Sequence, residues 1–347
     1  MGDNDVTAPP ATPARMAAWQ VTAHGEPREV MRLAEVAVPE PGPGEVLIRV
    51  RTVAVNFPDV LLARGEYQER PELPFTPGIE LCGDVVAIGP ATTRFHVGDR
   101  VVGSKIGVLA RYAVVPAVAV RRAPAVLDDA EAAALTIAYQ TAWFALHHRA
   151  LLAPGETLLV HAAAGGVGSA AVQLGKAAGA RVVAVVGSAA KARVAKALGA
   201  DVVHLRDDDW SSAVKAAGGA DVVFDPVGGD AFEGSARCVR FEGRIVVVGF
   251  ASGHLPRVRP DLALVKNYGV LGLHWALYQN RRPDLVEEAH AELTRLADAG
   301  IVRPVVAGVV PFADAPEAVE RLASGTTTGR LVIDVAGGGA PARGGDR

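Results

Sequence analysis

The chain has 347 residues and half of them are hydrophobic, more than one ordinary core accommodates, so two domains are expected. With 35 basic against 38 acidic residues and a formal net charge of −3, neither sign dominates, and charge gives no support to a nucleic-acid or membrane-surface partner. The two cysteines, Cys82 and Cys238, exclude a disulfide framework and a Cys-rich zinc site, and they fit a reducing, cytoplasmic compartment.

In chain order, residues 1–14 are rich in Pro, Ala and Thr and lack the basic-then-apolar order of a signal peptide, so a disordered tail is expected. The part up to about Pro124 reads as β-rich. Arg15–Val21 is a candidate strand. Glu45–Asn56 alternates Val46, Ile48 and Val50 with Arg49 and Arg51, the period of a half-buried strand, and PGPG before it is turn chemistry. Gly78–Gly89 and Arg100–Val102 read the same way, and frequent Gly and Pro suit a small barrel-like domain.

The pattern changes near Asp128. Asp128-x-x-Glu131 is a capping box ahead of an Ala-rich helical stretch to His148. Strand Leu158–Val160, helix Gly166–Ala178, strand Arg181–Val186 and helix Ala189–Leu198 follow. Val202–His204, Asp221–Asp225 and Arg244–Gly249 are further short strands with helical stretches between them. Apolar strands alternating with helices predict an α/β fold with a doubly wound parallel sheet. Beyond Trp275 come a helix, Asp284–Ala299, short strands, another helix and Arg330–Val335, which can rejoin the first domain. The expected domains are 15–127 with 275–336, and 128–274. The low-complexity end, 337–347, is expected to be a second disordered tail. No apolar run is long enough to span a bilayer.

The cofactor signal lies in His161–Gly168, HAAAGGVG, between a strand and a helix. It is a G-x-G-x-x-G dinucleotide fingerprint with Ala163 in place of the first Gly. Gly165 lets the backbone approach a pyrophosphate, Gly168 lets helix and strand pack closely, and the helix start at Gly166 and Val167 offers amide donors. About twenty residues on, NAD proteins place an acid on the ribose hydroxyl. Here the second strand runs into Val186-Gly187-Ser188-Ala189-Ala190-Lys191, and the first acid downstream is Asp201. Ser188 and Lys191 therefore favour a 2′-phosphate and NADPH, although Lys191 is also readable as a solvated residue in a first helical turn.

Several segments together resemble the zinc-independent quinone oxidoreductase (zeta-crystallin-like) branch of the medium-chain dehydrogenase/reductase superfamily. They are NFPDVLLARGEYQERPELPFTPGIELCGDVVAIG, VGDRVVG, HAAAGGVG, DVVFDPVGGDAF, VVGFASG and TGRLVIDV, and the likeness runs from about residue 15 to 336. The resemblance implies a Rossmann-type nucleotide domain, a GroES-like β-barrel catalytic domain and a homodimer joined near Tyr268–Leu273. Zinc relatives carry a Cys ligand three residues before an Asp, and a G-H-E-x-x-G motif with a His ligand. Asn56 stands three before Asp59, and Ile79 takes the His place in GIELCG, so the usual ligands are lost. Without a Lewis acid, the better acceptor is one activated by its own conjugation, a quinone or an enone.

Candidate site residues carry alternatives. The resemblance implies that Asn56 contacts cofactor or substrate; the alternative is that it holds its own Asx turn. By resemblance Tyr67 is a proton donor in enoyl reduction, or it closes the cleft by packing. The resemblance also implies that Thr141 faces the nicotinamide amide; otherwise it bonds its own i−4 carbonyl. Phe250, Ala251 and Ser252 are expected against the nicotinamide, since strand C-termini line the ligand crevice. Asn267 is a further cofactor candidate on the same analogy. Arg206 replaces a Tyr of look-alikes and is either a phosphate ligand or a surface charge. Arg111 replaces an acid of relatives and points to a different substrate-side loop. His147 and His148 are adjacent on a helix, point apart, and are not read as metal ligands. The leading function is an NADPH:quinone oxidoreductase. The alternatives are an enoyl-, acryloyl-CoA- or alkenal-type double-bond reductase, and a catalytically silent NADPH-binding protein.

Overall fold

The computed structural model describes residues 12–337, so the expectation of disordered tails falls almost wholly outside the described residues. β1 (Arg15–Val21) and β2 (Met31–Ala37) form an antiparallel ribbon in which Arg15 faces Ala37 and Val21 faces Met31. β3 (Glu45–Ala54) then pairs antiparallel with β4 (Glu80–Ile88), which pairs with β5 (Arg100–Ser104). β6 (Tyr112–Pro116) takes the other flank of β3, and β7 (Val120–Arg122) closes on β5. The alternation read in β3 works as expected. Val46, Ile48, Val50 and Val53 are buried, while Arg49 and Arg51 reach Asp84 on β4 at 3.0 and 2.8 Å. Burying one such Val or Ile is worth roughly 1.5–3 kcal/mol, which ties the register of β3 to its pattern.

The capping box forms: Asp128 Oδ1 accepts from Glu131 N at 2.8 Å, and Glu131 Oε2 accepts from Asp128 N at 3.2 Å. The Ala-rich stretch is not one helix, however. It divides into Asp129–Ala133, Thr136–Trp143 and a π-helical Phe144–Arg149. The helix that restarts at Thr136 finds a partner from outside the stretch. Ile137 N donates to Glu80 Oε1 at 2.6 Å, so a buried carboxylate from the first sheet satisfies an amide at the start of the second helix.

The second sheet is six-stranded and parallel: β8 (Thr157–His161), β9 (Arg181–Val186), β10 (Val202–Leu205), β11 (Ala220–Asp225), β12 (Val239–Val247) and β13 (Gly269–Gly272). Its spatial order is β10-β9-β8-β11-β12-β13. In order of appearance that is 3-2-1-4-5-6, the dinucleotide-binding topology with its switch point between β8 and β11. β12 starts earlier than the sequence pattern indicates, at Val239, and ends at Val247, before Gly249. A register shift against β11, with Glu242 at φ 59°, lets it start early.

The chain then returns. β14 (Val306–Pro311) and β15 (Arg330–Asp334) extend the first sheet, with β15 antiparallel to β3 so that Val332 faces Ala54. The helix Pro283–Asp298 buries Val286, Ala289, Leu293, Leu296 and Ala297 in one core with the helix Thr136–Trp143. No described helix is long and apolar enough to cross a membrane.

Candidate functional site

The turn after β8 is shaped by close approaches. Gly165 N donates to Ala162 O at 2.8 Å, and Ala162 itself sits at φ 48°, a conformation that costs a non-glycine residue about 1 kcal/mol. A Cβ on Gly168 would lie 2.2 Å from Ala162 O and 2.9 Å from Ala163 Cα, so only glycine lets the helix Gly166–Ala177 start against the turn. A Cβ on Gly165 would meet Ala162 O at 3.2 Å and otherwise face open space. Gly166 has a different reason to be glycine: a Cβ there would lie 2.5 Å from Arg330 Cδ on β15. The two domains also clasp at this point, where Gly329 N donates to Ala164 O at 2.7 Å.

Between the sheets runs a cleft of about 2560 Å³. It is lined by Asn56, Tyr67, Thr141, Gly165, Gly166, Val167, Gly168, Ser188, Lys191, Arg206, Phe250, Ala251 and Ser252. The structure thus brings all but two of the anticipated cofactor and catalytic residues into one cavity. Ala163 is wholly buried behind the turn, its N donating to Val185 O at 3.2 Å, so it supports the cradle without lining it. Asn267 is not brought to the cleft. It ends the helix Pro260–Lys266 at φ 53°, and its carbonyl accepts from Glu242 N at 2.8 Å. With Arg244 opposite Gly269 in parallel register, it lies just before the amino end of β13 and beside the first half of β12. Ligand crevices form at the other, carboxyl ends.

At one end of the cleft, Ser188 Oγ accepts from Lys191 N at 3.3 Å, and Lys191 Nζ donates to Gly325 O at 2.5 Å. A Cβ on Gly187 would lie 3.8 Å from Arg206 Cζ, so the Arg206 guanidinium hangs over the end of β9. Burial, and then the charge of Arg206, lowers the Lys191 amine below its ordinary pKa. Two neighbouring cations, a glycine turn opening into space and helix-start amides suit a phosphorylated dinucleotide.

At the other end the polar groups are buried. Glu80 and Arg330 are nearly inaccessible and pair at 2.6 Å. Asn56 Nδ2 donates to Ala54 O at 3.0 Å and to Glu80 Oε2 at 3.1 Å. Asp59 Oδ2 accepts from Asn56 N at 2.8 Å, one half of a capping box in which the Asn56 side chain faces the Asp59 amide at the start of the helix Phe57–Arg64. Asp59 Oδ1 has no partner among the described residues, and burial pushes this carboxyl up to about 7. Tyr67 is half-buried beside them. Burial first, then the charges of Glu69 and Asp59, raises its phenol above the ordinary value, so it retains its proton.

Three residues of this region carry no role in the sequence reading. Glu80 and Arg330 lie inside quoted motifs, but nothing local pairs positions 250 residues apart. His161, at the cleft floor, has its Nε2 2.8 Å from Ser235 Oγ and lies edge-on to Trp210. Burial pulls it down to about 4, against Asp225 acting the other way, so it stays neutral. Arg111 does not line the cleft: its guanidinium donates to Val335 O and lies over the Phe312 ring. His147 and His148 pack on Trp143 and on Phe144 with Tyr278. Among the described residues no group of three His, Cys, Asp or Glu side chains could hold a metal ion. Both cysteines are buried, their thiols pushed up to about 12 and about 11.

Comparison with known proteins agrees with this geometry. Residues 42–125 match the alcohol dehydrogenase GroES-like domain family and residues 166–291 the zinc-binding dehydrogenase family. Quinone oxidoreductase-like protein 2 of Mus musculus is 35% identical over 316 residues, covering 89% of this chain and 90% of the mouse protein. A mycobacterial protein solved in complex with NADPH superposes with a TM-score of 0.86 at 34% identity, over 92% of this chain and 99% of that one. The quinone oxidoreductase of Thermus thermophilus, also solved with NADPH, gives a TM-score of 0.80 at 34% identity, over 92% of this chain and all of that one.

Proposed function

Because the chain belongs to the quinone oxidoreductase branch of the medium-chain dehydrogenase/reductase superfamily, we propose that it is a zinc-independent reductase that uses NADPH to reduce a quinone. One observation carries the reading: a single cleft joins a glycine turn flanked by Lys191 and Arg206 to an end where Asn56 and Ile79 stand at the metal-ligand positions. NADPH, when bound, supplies hydride. The Gly165 turn and the helix start at Gly166–Val167 hold its pyrophosphate, and Lys191 and Arg206 hold its 2′-phosphate. Phe250 and Thr141 confine the reactive end and exclude water. A quinone spreads incoming negative charge over its own ring, so these residues need only align the partners. Tyr67 keeps its proton available at the same cleft.

That last feature favours a second reading, reduction of an enone or enoyl thioester, in which Tyr67 protonates carbon. The deciding experiment follows NADPH oxidation with a simple quinone, with crotonyl-CoA and with no acceptor. Rapid turnover with the quinone is expected. Turnover with the thioester alone assigns the second reading, and silence with both assigns an NADPH-binding protein without catalysis. We also propose a homodimer through the β13 edge. On the adjoining helix Pro260–Lys266, Leu264 and Val265 are 78% and 77% exposed, and a solution mass of one chain would end the idea.

A further inference from the structure

We infer that Trp275 is a specificity-determining residue, a fixed wall that limits the size of the acceptor at the reactive end of the cleft, and that Gln140 is the positioning residue that fixes it. Trp275 lines the cleft although it is only 5% exposed. Its Nε1 donates to Gln140 Oε1 at 3.0 Å, and Gln140 is wholly buried. An indole has one polar atom, and that atom can only donate. It must meet the oxygen of the amide rather than its nitrogen, so Gln140 Nε2 is left without a partner among the described residues. Breaking the pair would add a second unpaired donor in the same buried place, which holds the indole where it is. With its N–H spent, the Trp275 side chain has only carbon to set against a ligand.

Strand direction places this wall. The glycine turn, Lys191 and Arg206 follow β8, β9 and β10, one half of the parallel sheet, so the nicotinamide half of a dinucleotide lies over β11, β12 and β13. β13 ends at Gly272 opposite Val247, and Leu273 N donates to Val247 O at 3.0 Å. Trp275 comes just after that end, on the carboxyl side where the crevice opens. Gln140 reaches it from the helix Thr136–Trp143, of which Ile137 and Thr141 line the cleft. Trp275 also shares one core with Leu273, Ala138 and Ala142, so the ring is packed as well as hydrogen-bonded. A large side chain held in this way does not yield to a bulky ligand.

The inference rests on the proposed reduction of a quinone by NADPH, and the test keeps the two apart. Both kcat and KM are measured with p-benzoquinone and with the larger, fused-ring naphthoquinone. The chains are the parent, Trp275→Ala, Trp275→Phe, Gln140→Leu and the double variant Gln140→Leu with Trp275→Ala. Each quinone's own reactivity cancels when a variant is divided by the parent. Trp275→Ala is expected to raise kcat/KM for naphthoquinone relative to p-benzoquinone about tenfold, the discrimination an apolar pocket draws from a small change of size. The gain falls in KM for the larger quinone, and KM for NADPH stays. Trp275→Phe gives a smaller shift in the same direction and decides the matter if the alanine variant folds poorly. Gln140→Leu frees the ring to tilt and is expected to give a shift of about threefold, but none in the Trp275→Ala background, where it has nothing to hold. An unchanged ratio in both Trp275 variants, an equal loss with both quinones, or an effect confined to KM for NADPH overturns the inference and leaves the functional reading standing. A further shift from Gln140→Leu in the Trp275→Ala background overturns the role of Gln140. A parent that reduces neither quinone overturns the functional reading and this inference with it.

Discussion

The two ends of the cleft use charge in opposite ways. At the β9 end, Lys191 and Arg206 stand at the surface with little to hold them: Lys191 has the Gly325 carbonyl, and Arg206 has an exposed contact to Asp207 at 3.5 Å. At the β15 end, Glu80, Arg330, Asn56 and Asp59 are buried and bonded mostly to one another. Charge that a ligand is to use must be left underused by the protein. Charge that shapes a site must be paired, because burying it alone costs several kcal/mol.

The largest test of this contrast is Glu80→Ala. It strands a buried guanidinium together with Ile137 N and Asn56 Nδ2, and should destabilise the chain by about 3–5 kcal/mol in a urea titration. If Lys191→Ala cost as much, the contrast would be broken. Next comes the pH dependence from Asp59. Its folded pKa of about 7 lies above the ordinary value of 3.8, so the folded state holds the proton more tightly. The stability it contributes is fully present below about pH 4 and is lost as pH rises to about 7. The loss is on the order of 2–4 kcal/mol, and Asp59→Asn should flatten that slope and be the more stable form at pH 8. A smaller effect is expected of Lys191→Ala and Arg206→Ala. Each should lower the preference for NADPH over NADH about tenfold, most visibly at low salt, with stability unchanged to within about 0.5 kcal/mol. Equal affinities in the parent would refute the phosphate reading. The smallest is Asn267→Ala: cofactor affinity should not move, since the residue lies just before the amino end of β13.

The contrast also marks what could be read without coordinates. Ser188, Lys191 and the glycine turn could be expected in one cleft because a strand, a tight turn and a helix that are consecutive in sequence place them there. Asn267 misled because an analogy supplied a residue without the strand direction that places it. Glu80 and Arg330 were visible as letters in motifs and mute about each other.

By itself, then, the sequence determined the alternating sheet strands, the doubly wound order of strand and helix, and the tight glycine turn after β8. All of these depend on period-2 and helical patterning and on steric limits within a few residues. Only the tertiary structure decided that β15 returns beside β3 and sets Arg330 against both Gly166 and Glu80, whose carboxylate also accepts from Asn56. The reason is that a buried polar group takes whichever partner the packed chain delivers to it, and that partner is chosen by topology across the whole molecule rather than by neighbours in sequence.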